Sequence, residues 1–226
     1  MTHLVTGAGS GIGAVLTRRL LDRGDAVVLV ARTDARAEEL RAAYVGAGDG
    51  LEVLVADLAV PESVASLSLP DRLDSVVHAA GVVELGSVAE LSVDDWVAQL
   101  QVNLVAPAAL TQVVLPALRA ARGTVVFVNS GAGLIAHPGW SAYAASKHGL
   151  KALADALRGE EPDLRVTTVY PGRTATPMQE KVHLQEGKEY DAAAWIRPET
   201  VADAILHVLD LPRDATIPDL AVRPAG

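Results

Sequence analysis

The chain has no cysteine among its 226 residues. Disulfides, thiolate metal sites and cysteine nucleophiles are therefore excluded. Its six histidines lie far apart, and none falls in an HExxH or comparable ligand spacing, which argues against structural or catalytic zinc. Positive charge is scarce and scattered: 19 Lys and Arg stand against 28 Asp and Glu, a net charge of −9. Such a chain does not track a polyphosphate, and nucleic acid is a poor partner for it. Long apolar runs are missing too. AVVLVA (26–31) is strand-sized and far short of a membrane span. The opening MTHLVTGAG shows no basic region followed by an apolar stretch and a cleavage site. The expectation is a soluble, cytoplasmic protein with no membrane partner.

What is present suits a folded enzyme-sized domain. Half the residues are hydrophobic, enough for a sizeable core, and the length fits a single domain over 1–226. Short, nearly continuous apolar runs recur at 3–6, 26–31, 51–56, 74–80, 124–129, 165–170 and near 215–222. Strands buried on both faces look like this. Between the first two, Ile12, Val15, Leu16 and Leu20 share one helical face, and Gly24 suits the left-handed position past the helix end. Ser92 with Asp95 resembles a capping box that opens a long helix over 93–121, interrupted by Pro107 and Pro116. Strand–helix alternation with right-handed crossovers predicts an α/β fold: a Rossmann-like, doubly wound parallel sheet of about seven strands with helices on both faces. Residues 173–197 are polar and poorly periodic, and a connection of that length predicts a substrate-binding loop or lid.

The first strand runs straight into TGAGSGIG (6–13) and then a helix. Gly7, Gly11 and Gly13, with Ser10 and Ile12 between them, predict a tight turn that lets a pyrophosphate approach the backbone over a helix N-terminus. No GK[ST] follows, so an ATPase-type loop is rejected. At the end of the second strand, where an acidic residue would bind a ribose diol, the chain has Ala31-Arg32. Arginine is a good partner for a 2′-phosphate and a poor one for a neutral diol, so NADP(H) is favoured. Asp34 nearby leaves NAD(H) open. Asp57 and Leu58, after the third strand, are placed at the sheet edge near the adenine.

Tyr143 and Lys147 lie four apart in GWSAYAASKHG (139–149), hence on one face of a helix, among small residues that leave room for a third molecule. A phenol beside an ammonium group suits acid–base chemistry. With TGAGSGIG, DL (57–58), HAAG (78–81), Asn103, Ser130, YxxxK (143–147), PG (171–172) and TATPM (174–178) in this order, the chain resembles the short-chain dehydrogenases/reductases along essentially its whole length.

The resemblance implies roles. Tyr143 is the general acid in carbonyl reduction and the base in alcohol oxidation; Lys147 holds the nicotinamide ribose and, with the oxidised nicotinamide, lowers the phenol's pKa from its ordinary value near 10. Ser130 hydrogen-bonds the substrate carbonyl, and Asn103 orients a water that relays protons to Lys147. The nicotinamide supplies the hydride, from its pro-S face. Ala80 and Gly81 line the cofactor, Pro171-Gly172 follow the sixth strand, and Thr174 and Thr176 bind carboxamide and phosphate. HAAG departs from the family's usual NNAG, replacing two bracing asparagines with His78 and Ala79. Lysine at 147 separates the chain from polyketide ketoreductase domains, which carry asparagine there. An extended sugar-nucleotide epimerase would need another glycine spacing and a longer chain.

The substrate pocket is expected between Val82–Leu85, Leu134–Trp140 and the 173–197 segment, made largely apolar by Leu134, Ile135, Trp140, Met178 and Trp195. His137 and Glu84 are the ionisable residues near its entrance. The reaction implied is carbonyl–alcohol interconversion on a small to medium, moderately hydrophobic compound. A non-catalytic NADP(H)-binding sensor is the alternative, and the intact Ser–Tyr–Lys set favours the enzyme. By resemblance the chain forms a homodimer or homotetramer.

Overall fold

The computed structural model describes residues 1–46 and 50–225. Seven parallel strands form one sheet: β1 (Thr2–Thr6), β2 (Ala26–Ala31), β3 (Leu51–Val55), β4 (Ser75–His78), β5 (Thr124–Val128), β6 (Arg165–Pro171) and β7 (Asp219–Val222), in the order β3-β2-β1-β4-β5-β6-β7. The helices are α1 (Gly11–Asp22), α2 (Asp34–Ala43), α3 (Val93–Leu100), α4 (Ala106–Ala121), α5 (Ser141–Glu160), α6 (Pro177–Gln185) and α7 (Pro198–Asp210). The strand order reverses between β1 and β4, so loops leaving these two strands diverge and open a crevice at the carboxyl edge.

Each face of the sheet has its own core. On one side Leu16 and Leu20 of α1 and Val201, Ile205 and Val208 of α7 pack with Val5, Leu29, Val77 and Val126. On the other, Leu110, Val114 and Leu118 of α4 and Leu150, Ala154 and Leu157 of α5 pack with Leu4, Val76, Val125 and Phe127. Burial on both faces explains why the strands read as continuous apolar runs. Gly24 is left-handed at φ +83°, as its place past α1 requires.

Some boundaries differ from the sequence expectation, for local reasons. β4 stops at His78 because the amides of Ala79 and Ala80 turn to the Thr6 hydroxyl, each at 3.1 Å. β7 starts only at Asp219; Pro218 has no N–H for the ladder, though its carbonyl still accepts from the Thr168 amide. In the long helical stretch the Ser92 hydroxyl accepts from the Asp95 amide at 3.1 Å, as expected of a capping residue. The irregularity is a π-helical turn over Gln101–Val105, while Pro107 sits in the first turn of α4, where its missing N–H costs little, and Pro116 stays inside α4. By length and composition Val93–Ala121 could cross a bilayer, but 44% of its most apolar window is buried inside this domain.

The 173–197 segment is more ordered than its composition suggests. It contains α6, begun by Thr176 as N-cap and Pro177 in the first turn, and a 3-10 turn over Ala192–Ala194. Threonine followed by proline is a legible start signal. The nine residues of α6 have almost no amphipathic pattern, which hid the helix.

Candidate active site

One cavity of about 1170 Å³ runs along the carboxyl edge of the sheet, and its lining includes the glycine loop, the ends of β2 and β3, Ala79–Val83, Ser130, Tyr143, Lys147 and residues after β6. At its base Gly7 has φ +72°, and a Cβ there would lie 2.7 Å from the backbone of Ala79 and Ala80. Gly11 has φ +54°, and a Cβ on it would press on the Thr176 methyl at 2.9 Å. Ser10 is the N-cap of α1, yet its side chain makes no capping hydrogen bond. The amides of the first helical turn are therefore left facing the cavity beside Ile12 and Gly13, as an anion site requires. The loop is held from behind by Tyr44, whose hydroxyl donates to the Ala8 carbonyl at 2.7 Å. A backbone cradle with free amides fits a pyrophosphate.

Beyond the loop, Arg32, Asp57 and Leu58 all line the cavity. Arg36 lines it too, donating to the Gly9 carbonyl at 3.2 Å. Sequence spacing pointed only to Arg32; Arg36 lies one turn into α2, a position from which an arginine reaches back over the loop. Asp34, which left NAD(H) open, is not among the lining residues. Arg36 is shared with Glu39, which also lines the cavity, while Arg32 stands at the end of β2 where a ribose-binding acid would be, an arrangement that suits a phosphorylated ribose.

The chemical end is assembled by α5 and the exit of β5. Tyr143 and Lys147 are buried at 6% and 4% exposure, and both face the cavity with Ser130. Asn129 fixes the junction: its amide group donates to the Lys147 carbonyl at 3.0 Å, and its Oδ1 accepts from the Ser130 amide at 2.8 Å. Burial pushes the Tyr143 phenol up to about 12, with the neighbouring Ser130 hydroxyl acting the other way. Burial also brings the Lys147 ammonium down to about 8. Lys147 Nζ donates to the Val128 carbonyl at 3.1 Å and stands 5.8 Å from the Tyr143 ring centroid. The expected lowering of the phenol by Lys147 is thus not present in the protein alone, where desolvation dominates.

Asn103 is fully buried in the π turn. Its amide hydrogens go to the Val82 carbonyl (2.9 Å) and the Ser146 hydroxyl (3.0 Å), while its Oδ1 accepts from the Val82 amide at 2.8 Å. One acceptor site on Oδ1 remains. Gly81 separates it from the lysine: a Cβ there would lie 3.2 Å from Asn103 Oδ1 and 3.7 Å from Lys147 Nζ. Where the family's bracing asparagines are missing, His78 stacks on Phe127 (4.9 Å between centroids) and pairs with the Thr111 hydroxyl at 3.0 Å, and Thr6 takes the two following amides. Burial drops the His78 imidazole to about 3, so it braces as a neutral ring.

Pro171, Gly172, Thr174 and Thr176 line the cavity. The Thr174 hydroxyl donates to the Gly172 carbonyl (3.0 Å) and that of Thr176 to the Thr174 carbonyl (3.2 Å), which shapes the strand exit.

The outer wall is more polar than expected. Trp140 and Met178 line it, with Trp140 edge-on to Tyr143 at 5.8 Å. Leu134 and Ile135 are instead exposed and, like Trp195 and Glu84, do not line the cavity. The turn over Gly131–Gly133 carries the two aliphatic side chains away to solvent. Trp195 packs behind the wall on Arg173, 5.4 Å from its ring, and Glu84 pairs with Lys181 of α6 at 2.6 Å. In their place stand His137, Gln179, Arg173, Glu186 and Arg223. Arg173 and Glu186 form a two-pronged ion pair at 3.0 and 2.7 Å.

The family model described as short chain dehydrogenase matches residues 1–187. An uncharacterised short-chain type dehydrogenase/reductase of Sinorhizobium fredii is 33% identical, over 99% of this chain and 91% of that protein. Among solved structures, the closed form of a serine dehydrogenase complexed with NADP+ aligns with TM-score 0.85 and 26% identity, covering 98% of this chain and 94% of that one. An alcohol dehydrogenase of Thermococcus sibiricus complexed with 5-hydroxy-NADP also aligns at 0.85 and 26% identity, covering 99% and 96%.

Proposed function

The chain belongs to the short-chain dehydrogenase family, and on that premise we propose that it is an NADP(H)-dependent oxidoreductase interconverting a ketone or aldehyde with the matching alcohol. One observation carries the reading: Ser130, Tyr143 and Lys147 meet in the same cavity whose other end is the uncapped, glycine-lined start of α1. A site that only sensed the cofactor would have no use for a buried phenol next to a serine hydroxyl. The NADP+ and 5-hydroxy-NADP in the two structural relatives agree with the arginine pair at the end of β2.

When bound, the nicotinamide supplies or accepts the hydride. The amides beside Ser10–Gly13 would hold its pyrophosphate, Arg32 and Arg36 its 2′-phosphate, and Asp57, Leu58 and Ala80–Gly81 its adenosine side, with Pro171–Thr176 closing over the other end. At neutral pH Tyr143 keeps its proton, the state needed to donate to a developing alkoxide. Ser130 hydrogen-bonds the same oxygen and favours its negative charge. Lys147, charged below about pH 8, draws the phenol's proton equilibrium towards release as the alkoxide forms. A water accepted by Oδ1 of Asn103 would return a proton to Lys147 past Gly81. The working assembly is a homodimer or homotetramer, to be read from sedimentation.

The test is NADPH consumption across a panel of ketones and aldehydes. Turnover on some of them supports the enzyme. Tight NADPH binding with no turnover on any would favour the sensor.

A further inference from the structure

The outer half of the cavity is electrostatically unbalanced. Apart from Glu39 and Asp57 beside the residues proposed to hold the coenzyme, the carboxylate of the lining is Glu186, which is already engaged by Arg173 and by Lys188 at 3.1 Å. Arg223, just past β7, lines the same space and has no hydrogen-bond or ion-pair partner among the described residues. Its guanidinium lies on Gly131, where a Cβ would come within 2.6 Å of Nη1. Gly131 directly follows Ser130, so the cation lies against the residue next in the chain to the one proposed to hold the reacting oxygen. The strand end that carries it is fixed: the Gly172 amide donates to the Val222 carbonyl at 2.7 Å, and a Cβ on Gly172 would meet the Pro224 ring at 2.9 Å.

Arg223 is exposed, so its guanidinium is solvated and open to exchange water for an anion that enters the cavity. We propose that Arg223 binds the carboxylate of the substrate, which makes the substrate class a short oxo acid or the matching hydroxy acid, its carboxylate a few atoms from the carbonyl. The missing side chain of Gly131 leaves the space that Nη1 of Arg223 occupies. Arg173 does not fill this role, because Glu186 already takes its fork. The proposal rests on the oxidoreductase reading for its kinetic test but not for its binding test.

The experiment compares 3-oxobutanoate with its methyl ester, using the full chain and NADPH. The acid is expected to exceed the ester in kcat/KM by on the order of 10- to 100-fold, the worth of a charge-assisted hydrogen bond. Arg223→Leu is expected to collapse that ratio towards one, and Arg223→Lys to restore part of it. Gly131→Ala, which pushes the guanidinium aside without removing its charge, should also lower the ratio. Binding of 3-hydroxybutyrate against its methyl ester, by calorimetry on the NADP+-loaded protein, reads the same preference without turnover. If calorimetry shows the Arg223-dependent preference and no compound turns over, the oxidoreductase reading fails and this inference stands. Equal use and equal binding of acid and ester, or a ratio unmoved by Arg223→Leu, overturns the inference. A weakened NADPH affinity in Arg223→Leu with the ratio intact would also overturn it, by assigning the cation to the coenzyme.

Discussion

Lys147 points its ammonium at the Val128 carbonyl, 3.1 Å away, and not at the Tyr143 phenol, whose ring centroid lies 5.8 Å off. Both side chains are buried, and each is held towards its uncharged form: the phenol at about 12, the amine at about 8. The protein alone therefore stores the pair in a resting state, with the proton on the tyrosine.

That resting state has a pH signature in stability. The Lys147 value lies below the ordinary 10.5, so between pH 8 and 10.5 the unfolded chain holds more protons and stability rises with pH. The Tyr143 value lies above 10.0, so from pH 10 to 12 the folded chain keeps a proton that the unfolded one has lost, and stability falls. Below pH 8 the buried ammonium carries its full cost, about 3 kcal/mol at 1.36 kcal/mol per pH unit as an upper bound. Urea unfolding of the coenzyme-free protein should show Lys147→Met more stable than the parent at pH 7, with the gap narrowing by pH 10. A gap that is constant with pH would contradict this.

The cradle is sterically full. Gly7→Ala places a methyl 2.7 Å from the backbone of Ala79 and Ala80 at φ +72°. Left-handed strain and overpacking together should cost about 2–5 kcal/mol. Thermal unfolding of the variant checks this, and an unchanged midpoint would mean that the loop relaxes freely.

In the proposed function Arg32 and Arg36 would set the coenzyme preference together. Arg32→Ala and Arg36→Ala should each lower the ratio of kcat/KM for NADPH over NADH by about 10-fold or more, as loss of a charge-assisted hydrogen bond does. An effect confined to Arg32 would show that Arg36 only braces Gly9.

The parts of this site that could be read from sequence are those held by spacing along one element. Gly7, Gly11 and Gly13 declare a strand-to-helix turn, and Tyr143 and Lys147 declare one face of α5. The sheet was equally plain, because burial on both faces leaves unbroken runs such as AVVLVA. Residues brought together across the fold left no such mark. Asn129 supports Ser130 and Lys147 from the end of β5, Tyr44 holds the loop from beyond α2, and Arg223 arrives from β7 beside Gly131. Leu134 and Ile135 misled because apolar type alone does not say which way a turn will aim a side chain. The helix α6 was hidden by its weak apolar pattern, though Thr176-Pro177 signals its start.

The most direct measurement is single-turnover loss of the reduced coenzyme's near-ultraviolet absorbance with a substrate found in the panel, for the parent and Tyr143→Phe. Removing the proton donor should slow the step by about 10²–10⁴-fold while NADPH still binds, because the glycine loop and the arginines proposed to hold it are untouched. A phenylalanine variant that turns over at the parent's rate would show that the proton comes from elsewhere, and would contradict the account.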